Sequence, residues 1–218
     1  MMVAIGEIVK NGIVFDVKNW QKEMSNTESL IEFIETIFDT LNERKIDYLL
    51  VGGVALLSYV EGRNTQDINL ILAKPDLLSL PEIEIINENN DFIRGEYGDL
   101  TVDILLTQNQ LFNKVKQQFA TIRQFGEKKI RCVTIEGLVV LKFYALPSLY
   151  RQGNFERVSI YENDILLLLL NYSIDLKAVF QLLSEHLLPT DLEEIRSISS
   201  EIESRIQRFS KQKEKLDS

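Results

Sequence analysis

The chain is poor in the residues that build several common kinds of site. One cysteine, Cys132, among 218 residues excludes an intramolecular disulfide and a cysteine-based zinc cage, and points to a reducing, cytoplasmic setting. Cys132 itself reads as core filler rather than as a nucleophile. One histidine, His186, leaves nothing for a histidine metal cluster or a Ser-His-Asp triad, and its place in an apolar helical stretch suits a partly exposed helix residue. Basic charge is also short. Lys and Arg number 24 against 33 Asp and Glu, a formal net charge of -9, which argues against bulk coating of nucleic acid because phosphate neutralisation needs a cationic excess. The uncharged run 165–174 falls well below the ~20 apolar residues of a membrane span and predicts a buried helix and no membrane partner. The first residues meet Gly6, Glu7, Lys10 and Asn11 before any signal-type apolar core develops.

What is present is the balance of an ordinary globular protein, 45% hydrophobic and 26% charged. Alternation around Asn11-Gly12 predicts an N-terminal hairpin over Val3 to Val17. Ser25 and Glu28 form a capping-box pattern ahead of a helix to about Arg44, with Leu30, Ile34, Ile37, Phe38 and Leu41 on its apolar stripe. A strand over Tyr48 to Val51 ends at Gly52-Gly53, and a short helix over Val54 to Val60 follows. The next strand, Asp67 to Leu72, places Asp67, Asn69 and Ile71 on one face and Ile68, Leu70 and Leu72 on the other. After a connection punctuated by Pro75 and Pro81 come strands over Phe92 to Gly95 and Leu100 to Leu106, a helix over Gln108 to Phe119, and strands over Thr121 to Phe125 and Lys129 to Val133. From there the periodicity is helical: Ile135 to Leu146, Asp164 to Tyr172, Ile174 to Leu187, and a last helix capped by Thr190. Ser148 to Gly153 is the expected flexible link. The expected organisation is thus α+β, with a mixed-sheet domain over residues 1–133 and a helical lobe over 134–218.

A strand, a Gly-Gly pair, a short helix and a second strand carrying Asp67 and Asn69 is an order in which a triphosphate can be gripped, because glycine lets backbone N–H groups approach phosphate. Taken alone, a Gly-Gly pair at a strand end is usually only a turn. Asp103 lies in the apolar run Thr101-Val102-Asp103-Ile104-Leu105. A carboxylate there needs compensation, and metal coordination, a structural ion pair or a strand-end position would each provide it. Lys142 is read equally as a phosphate ligand and as a helix lysine reaching solvent along its own stem. Arg151 and Arg157 are as readily surface charges.

Leu50-Val51-Gly52-Gly53, Arg63, Thr65, Asp67-Ile68-Asn69 and Asp103 together resemble the polymerase-beta-type nucleotidyltransferase superfamily. The Gly-Gly-Val-Ala-Leu wording and the Arg-x-Thr-x-Asp approach are most similar to AbiEii-type toxins of type IV toxin-antitoxin systems. Leu141-Lys142-Phe143 and Asp164-Ile165-Leu166 resemble the helical-lobe motifs of that group, more loosely. The resemblance implies a nucleotidyltransferase fold and transfer of a nucleoside monophosphate from a nucleoside triphosphate (NTP) to a hydroxyl of RNA, protein or a small molecule. It implies Mg2+ or Mn2+ held by Asp67, position 69 and Asp103, with Asp103 also taking the hydroxyl proton. Phosphate contacts would come from Gly52, Gly53, Arg63, Thr65 and Lys142, and a cognate antitoxin would be a partner. The departure is Asn69, where the family carries an acid. That change opens the alternative of a degenerate relative that binds a nucleotide or a partner without chemistry.

Overall fold

In the computed structural model the described residues are 24–60, 65, 67–98 and 100–216. The expected hairpin over Val3 to Val17 and Arg63 lie outside them. The chain divides into two compact units, Met1–Thr134 and Ile135–Ser218.

In the first unit a helix α1 (Met24–Glu43) precedes strand β1 (Leu49–Val51), a one-turn helix α2 (Gly52–Leu56) and strand β2 (Asp67–Leu72). A 3-10 turn (Lys74–Ser79) leads to β3 (Glu84–Glu88), β4 (Phe92–Tyr97) and β5 (Leu100–Leu106). Helix α3 (Gln110–Gln118), β6 (Ala120–Phe125) and β7 (Lys128–Val133) complete the unit. The seven strands form one mixed sheet in the order β3-β4-β5-β2-β1-β7-β6. The β2–β5 and β1–β7 pairs are parallel and the other pairs antiparallel. Leu49, Leu50, Ile68, Leu70, Val102 and Ile104 are fully or almost fully buried, as expected of central strands covered on both faces. The stripe Ile34, Ile37, Phe38 and Leu41 of α1 is buried, and Phe38 meets the Phe125 ring edge-on at 5.4 Å between centroids. Asn109 caps α3, its side chain accepting from the N–H groups of Leu111 and Phe112.

Three expectations need correction here. The short helix runs from Gly52 to Leu56 and not from Val54 to Val60. The connection after Pro75 contains β3, all of whose residues are exposed, so no buried face marks it in the sequence. Strand β4 runs on to Tyr97, two residues past Gly95.

The second unit holds four helices: α4 (Ile135–Arg151), α5 (Phe155–Asn171), α6 (Leu176–Leu183) and α7 (Pro189–Leu216). The expected link from Ser148 is corrected: Ser148 to Arg151 are the last turn of α4, which continues through Pro147. A proline removes one intrahelical donor and crowds the carbonyl four residues back, a local cost that α4 bears without ending. Helix α5 begins nine residues before Asp164, where the Asn154 side chain accepts from the Arg157 N–H at 3.3 Å. The expected helix to Leu187 is likewise shortened, since α6 ends at Leu183 and His186 lies in the turn that follows. Within 165–174, Ile165, Leu166 and Leu168 are buried but Leu170 is exposed. Among the described residues no helix is long and apolar enough to cross a membrane.

Candidate functional site

Strand register assembles the site. Val51 at the end of β1 pairs with Asn69 of β2, Asn69 pairs with Asp103 of β5, and Asp103 pairs with Arg94 of β4. Residues directly opposed on neighbouring strands point to the same face, so Arg94, Asp103, Asn69 and Val51 make one row across four strands. Asp67 is two residues before Asn69 on β2 and shares that face.

The Gly-Gly pair is built against this row. Gly52 has φ +71°, the left-handed region that glycine adopts without penalty. A Cβ there would fall 2.6 Å from Asn69 Cγ, and a Cβ on Gly53 would fall 2.3 Å from Thr65 Oγ1. Both glycines therefore permit contacts that any side chain would block. Thr65 is buried, and its hydroxyl donates to Asp67 Oδ1 at 2.8 Å, which fixes the carboxylate. Gly52, Gly53, Thr65, Asp67, Asn69 and Asp103 are thus brought together in the first unit.

Asp103 is only 2% exposed, and its compensation is an ion pair. Arg94 Nε donates to Oδ1 and Nη2 to Oδ2, both at 2.7 Å, a two-point fork matched to carboxylate geometry. The Arg94 guanidinium carbon also lies 5.9 Å from the centroid of the Phe92 ring. Arg94 stands in none of the motifs visible along the chain. Its signal was available in the hairpin: Tyr97 pairs with Leu100 around Gly98 at φ +59°, and that register sets Arg94 opposite Asp103.

Asp67 and Asn69 offer oxygens that suit one hard divalent ion, while both Asp103 oxygens are engaged by Arg94. The set does not suit a pair of ions bridged by three carboxylates. Among the described residues no group of three or more His, Cys, Asp or Glu side chains is placed to hold a metal.

Lys142 belongs to the second unit. Its ammonium donates to Asp164 Oδ2 at 2.7 Å, and both residues are almost fully buried. It also stands 4.5 Å from the Tyr161 ring centroid. Its stem does not carry the charge out to solvent. Arg151, by contrast, is exposed and pairs with Asp191 at 2.6 Å. Cys132 is buried beneath Ser58, and burial pushes its thiol up to about 12, which fits core filler and not a nucleophile.

No family model matches the sequence, and no curated protein matches it. Solved structures are similar in fold. The crystal structure of ANT(2")-Ia in complex with adenylyl-2"-tobramycin matches with a TM-score of 0.50 at 15% identity, over 78% of this chain and 98% of that one. The solution structure of the antibiotic-resistance factor ANT(2'')-Ia matches with a TM-score of 0.47 at 14% identity, over 85% of this chain and 98% of that one. The crystal structure of an antigenic nucleotidyltransferase-like protein from Paracoccidioides brasiliensis gives 0.48 at 16% identity, over 77% and 92%. The mixed seven-stranded sheet with its helices, followed by further helices, is a nucleotidyltransferase fold.

Proposed function

We propose that the protein is a nucleotidyltransferase that receives an NTP beside Gly52 and Gly53 and transfers its nucleoside monophosphate to a hydroxyl of RNA, protein or a small molecule. The observation that carries this reading is the packing of the two glycines, without side chains, against Asn69 and Thr65 in the row that holds Asp67 and Asp103. In the transfer, the acceptor oxygen bonds to the α phosphorus as the bond to the bridging oxygen breaks, pyrophosphate leaves, and the hydroxyl proton passes to Asp103, the role that the resemblance implies. The Cβ positions of Gly52 and Gly53 are taken up by Asn69 and Thr65, so phosphate oxygens would be met by the backbone N–H groups of the turn. Thr65 keeps Asp67 turned to its place, so that no rotamer search is needed when the substrate arrives. Mg2+ or Mn2+ would be held by Asp67 and Asn69; the third ligand that the resemblance implies, Asp103, has both oxygens engaged by Arg94. Such an ion draws negative charge off the phosphates.

A second reading rests on two specific features. Asn69 removes one anionic ligand, and Arg94 already occupies both Asp103 oxygens. A chain with these features can hold a nucleotide, or a partner protein, without transfer.

The test is transfer of label from α-labelled NTP to a pool of RNA and protein in Mg2+, with wild type and Asp67→Ala. Label that reaches an acceptor with wild type and not with Asp67→Ala supports the transferase. Calorimetric binding of NTP without transfer supports the binding reading. If NTP fails to bind, the transferase and the nucleotide-holding reading fall, and only the partner-protein form of the second reading stands. The similarity to type IV toxins extends the proposal to a cytoplasmic toxin with a cognate antitoxin. Growth arrest on expression that Asp67→Ala relieves is the outcome expected of such a toxin.

A further inference from the structure

Asp103 is flanked within one row by two residues that each lower the negative charge available to a cation. On the β2 side stands the neutral amide of Asn69, and on the β4 side the guanidinium of Arg94. Asp67, Asp103 and Arg94 carry formal charges of -1, -1 and +1, a sum of -1, where three carboxylates alone would give -3. Arg94 stays charged at any working pH. Its fork engages both Asp103 oxygens, and ladder register places the two residues directly opposite each other. A divalent ion on Asp103 would have to sit beside a fixed cation or displace it. Displacement would break both charge-assisted hydrogen bonds of the fork and leave the freed guanidinium close to the ion, cation beside cation.

We propose that Arg94 takes the charge role of one metal ion in this row: Asp103 is reserved to Arg94, and an NTP binds with a single divalent ion shared between its phosphates, Asp67 and Asn69. The proposal rests on the reading that an NTP is received beside Gly52 and Gly53. It makes Arg94 a positioning residue for Asp103 and assigns the two carboxylates different work.

The test counts Mn2+ by electron paramagnetic resonance on the full chain saturated with an α,β-methylene triphosphate, which cannot transfer. Wild type is expected to hold one Mn2+ per analogue. Asp67→Asn should weaken that ion by about tenfold or more, the scale on which losing a supporting group already acts at metal sites. Asp103→Asn should leave it in place. That variant keeps its fold because Arg94 has side-chain surface in water, 36% exposed, and does not become a buried lone charge. Arg94→Met, which frees Asp103, should admit a second Mn2+. If Arg94→Met does not fold, the comparison of Asp67→Asn with Asp103→Asn decides alone, and the double variant Arg94→Met/Asp103→Asn serves as the folded control. Two ions in wild type, or an Asp103→Asn loss equal to that of Asp67→Asn, overturns the proposal and leaves the nucleotide reading standing. Failure of every variant to bind the analogue removes both.

Discussion

Gly53→Ala sets two opposed effects against each other at one atom. Gly53 lies in α2 and has no left-handed φ, so alanine gains up to about 1 kcal/mol in helix propensity. Against that, the new methyl would lie 2.3 Å from Thr65 Oγ1 and 2.8 Å from its Cβ, closer than atoms can pack. Thr65 is buried and cannot swing into water, so it must move off its hydrogen bond to Asp67 Oδ1. A hydrogen bond to a charged group contributes about 1.5–3 kcal/mol, and overpacking costs about 1–3 kcal/mol. The clash wins, with a net destabilisation of about 2–4 kcal/mol. Urea unfolding followed by circular dichroism should show a midpoint lower by about 1–2 M for an m-value near 2 kcal/mol/M. Thr65→Ala in the same chain removes the obstructing hydroxyl, so the double variant should recover part of the loss, with a coupling of about 0.5–3 kcal/mol. An unchanged midpoint in Gly53→Ala, or strict additivity of the two substitutions, refutes the packing account.

In the second unit, Lys142→Met leaves Asp164 as a buried carboxylate without its ammonium and should cost about 3–5 kcal/mol by denaturant unfolding, where an exposed lysine would cost almost nothing. Alkaline pH should unfold the first unit. Burial raises Tyr48 from 10.0 to about 12 and Cys132 from 9.0 to about 12. Both groups stay neutral in the fold while the unfolded chain ionises, so their contribution is intact below about pH 9 and is lost as pH climbs toward 12, at about 1.4 kcal/mol for each tenfold change in the ionisation constant. Tyr48→Phe should remove the part of the decline that falls between pH 10 and 12, and native Cys132 should resist maleimide at pH 8. Rapid labelling, or a decline unchanged by Tyr48→Phe, would contradict the burial.

The parts of the fold that were legible are those whose pattern is local. Strands β2 and β5 have the expected bounds, because an apolar run with polar residues on alternate positions has one reading there. The α1 stripe is equally local. Strand β3 was not legible, since Glu84 to Glu88 is exposed throughout and is a strand only through its pairing with β4, with a register shift between Ile85 and Asn87. Helix α4 outran its expected end because the sequence displays Pro147 but not the packing that keeps Leu146 and Leu149 buried on either side of it. At the site, the spacing of Gly52, Gly53, Asp67 and Asn69 was visible along the chain. Which of three compensations Asp103 receives depends on the register of the β4–β5 hairpin, a signal carried by the turn around Gly98 and by no motif that contains Arg94.

Asn69→Asp tests how far this row depends on charge rather than shape. The substitution is nearly isosteric, so the contact of residue 69 with the Gly52 backbone is kept. What changes is the formal charge of the row. With Asp67, Asp103 and Arg94 it passes from -1 to -2, and the new carboxylate faces Asp103 directly across the β2–β5 pair. Like charges so opposed are destabilising, on the order of 1 kcal/mol, which for a chain of this length lowers Tm by about 2–4 °C. That loss should be seen in EDTA. Added Mn2+ finds a stronger donor set in the variant, and at a hundredfold excess over its Kd it contributes about 2.7 kcal/mol, enough to carry the variant above its metal-free Tm by several degrees. Wild type without nucleotide should respond far less, because its row holds one carboxylate beyond the Arg94 pair. A higher Tm for Asn69→Asp in EDTA would mean that the row is not short of positive charge. An equal Mn2+ shift in both proteins would mean that the amide at 69 costs the site nothing, and that Arg94 does not hold Asp103 away from a metal.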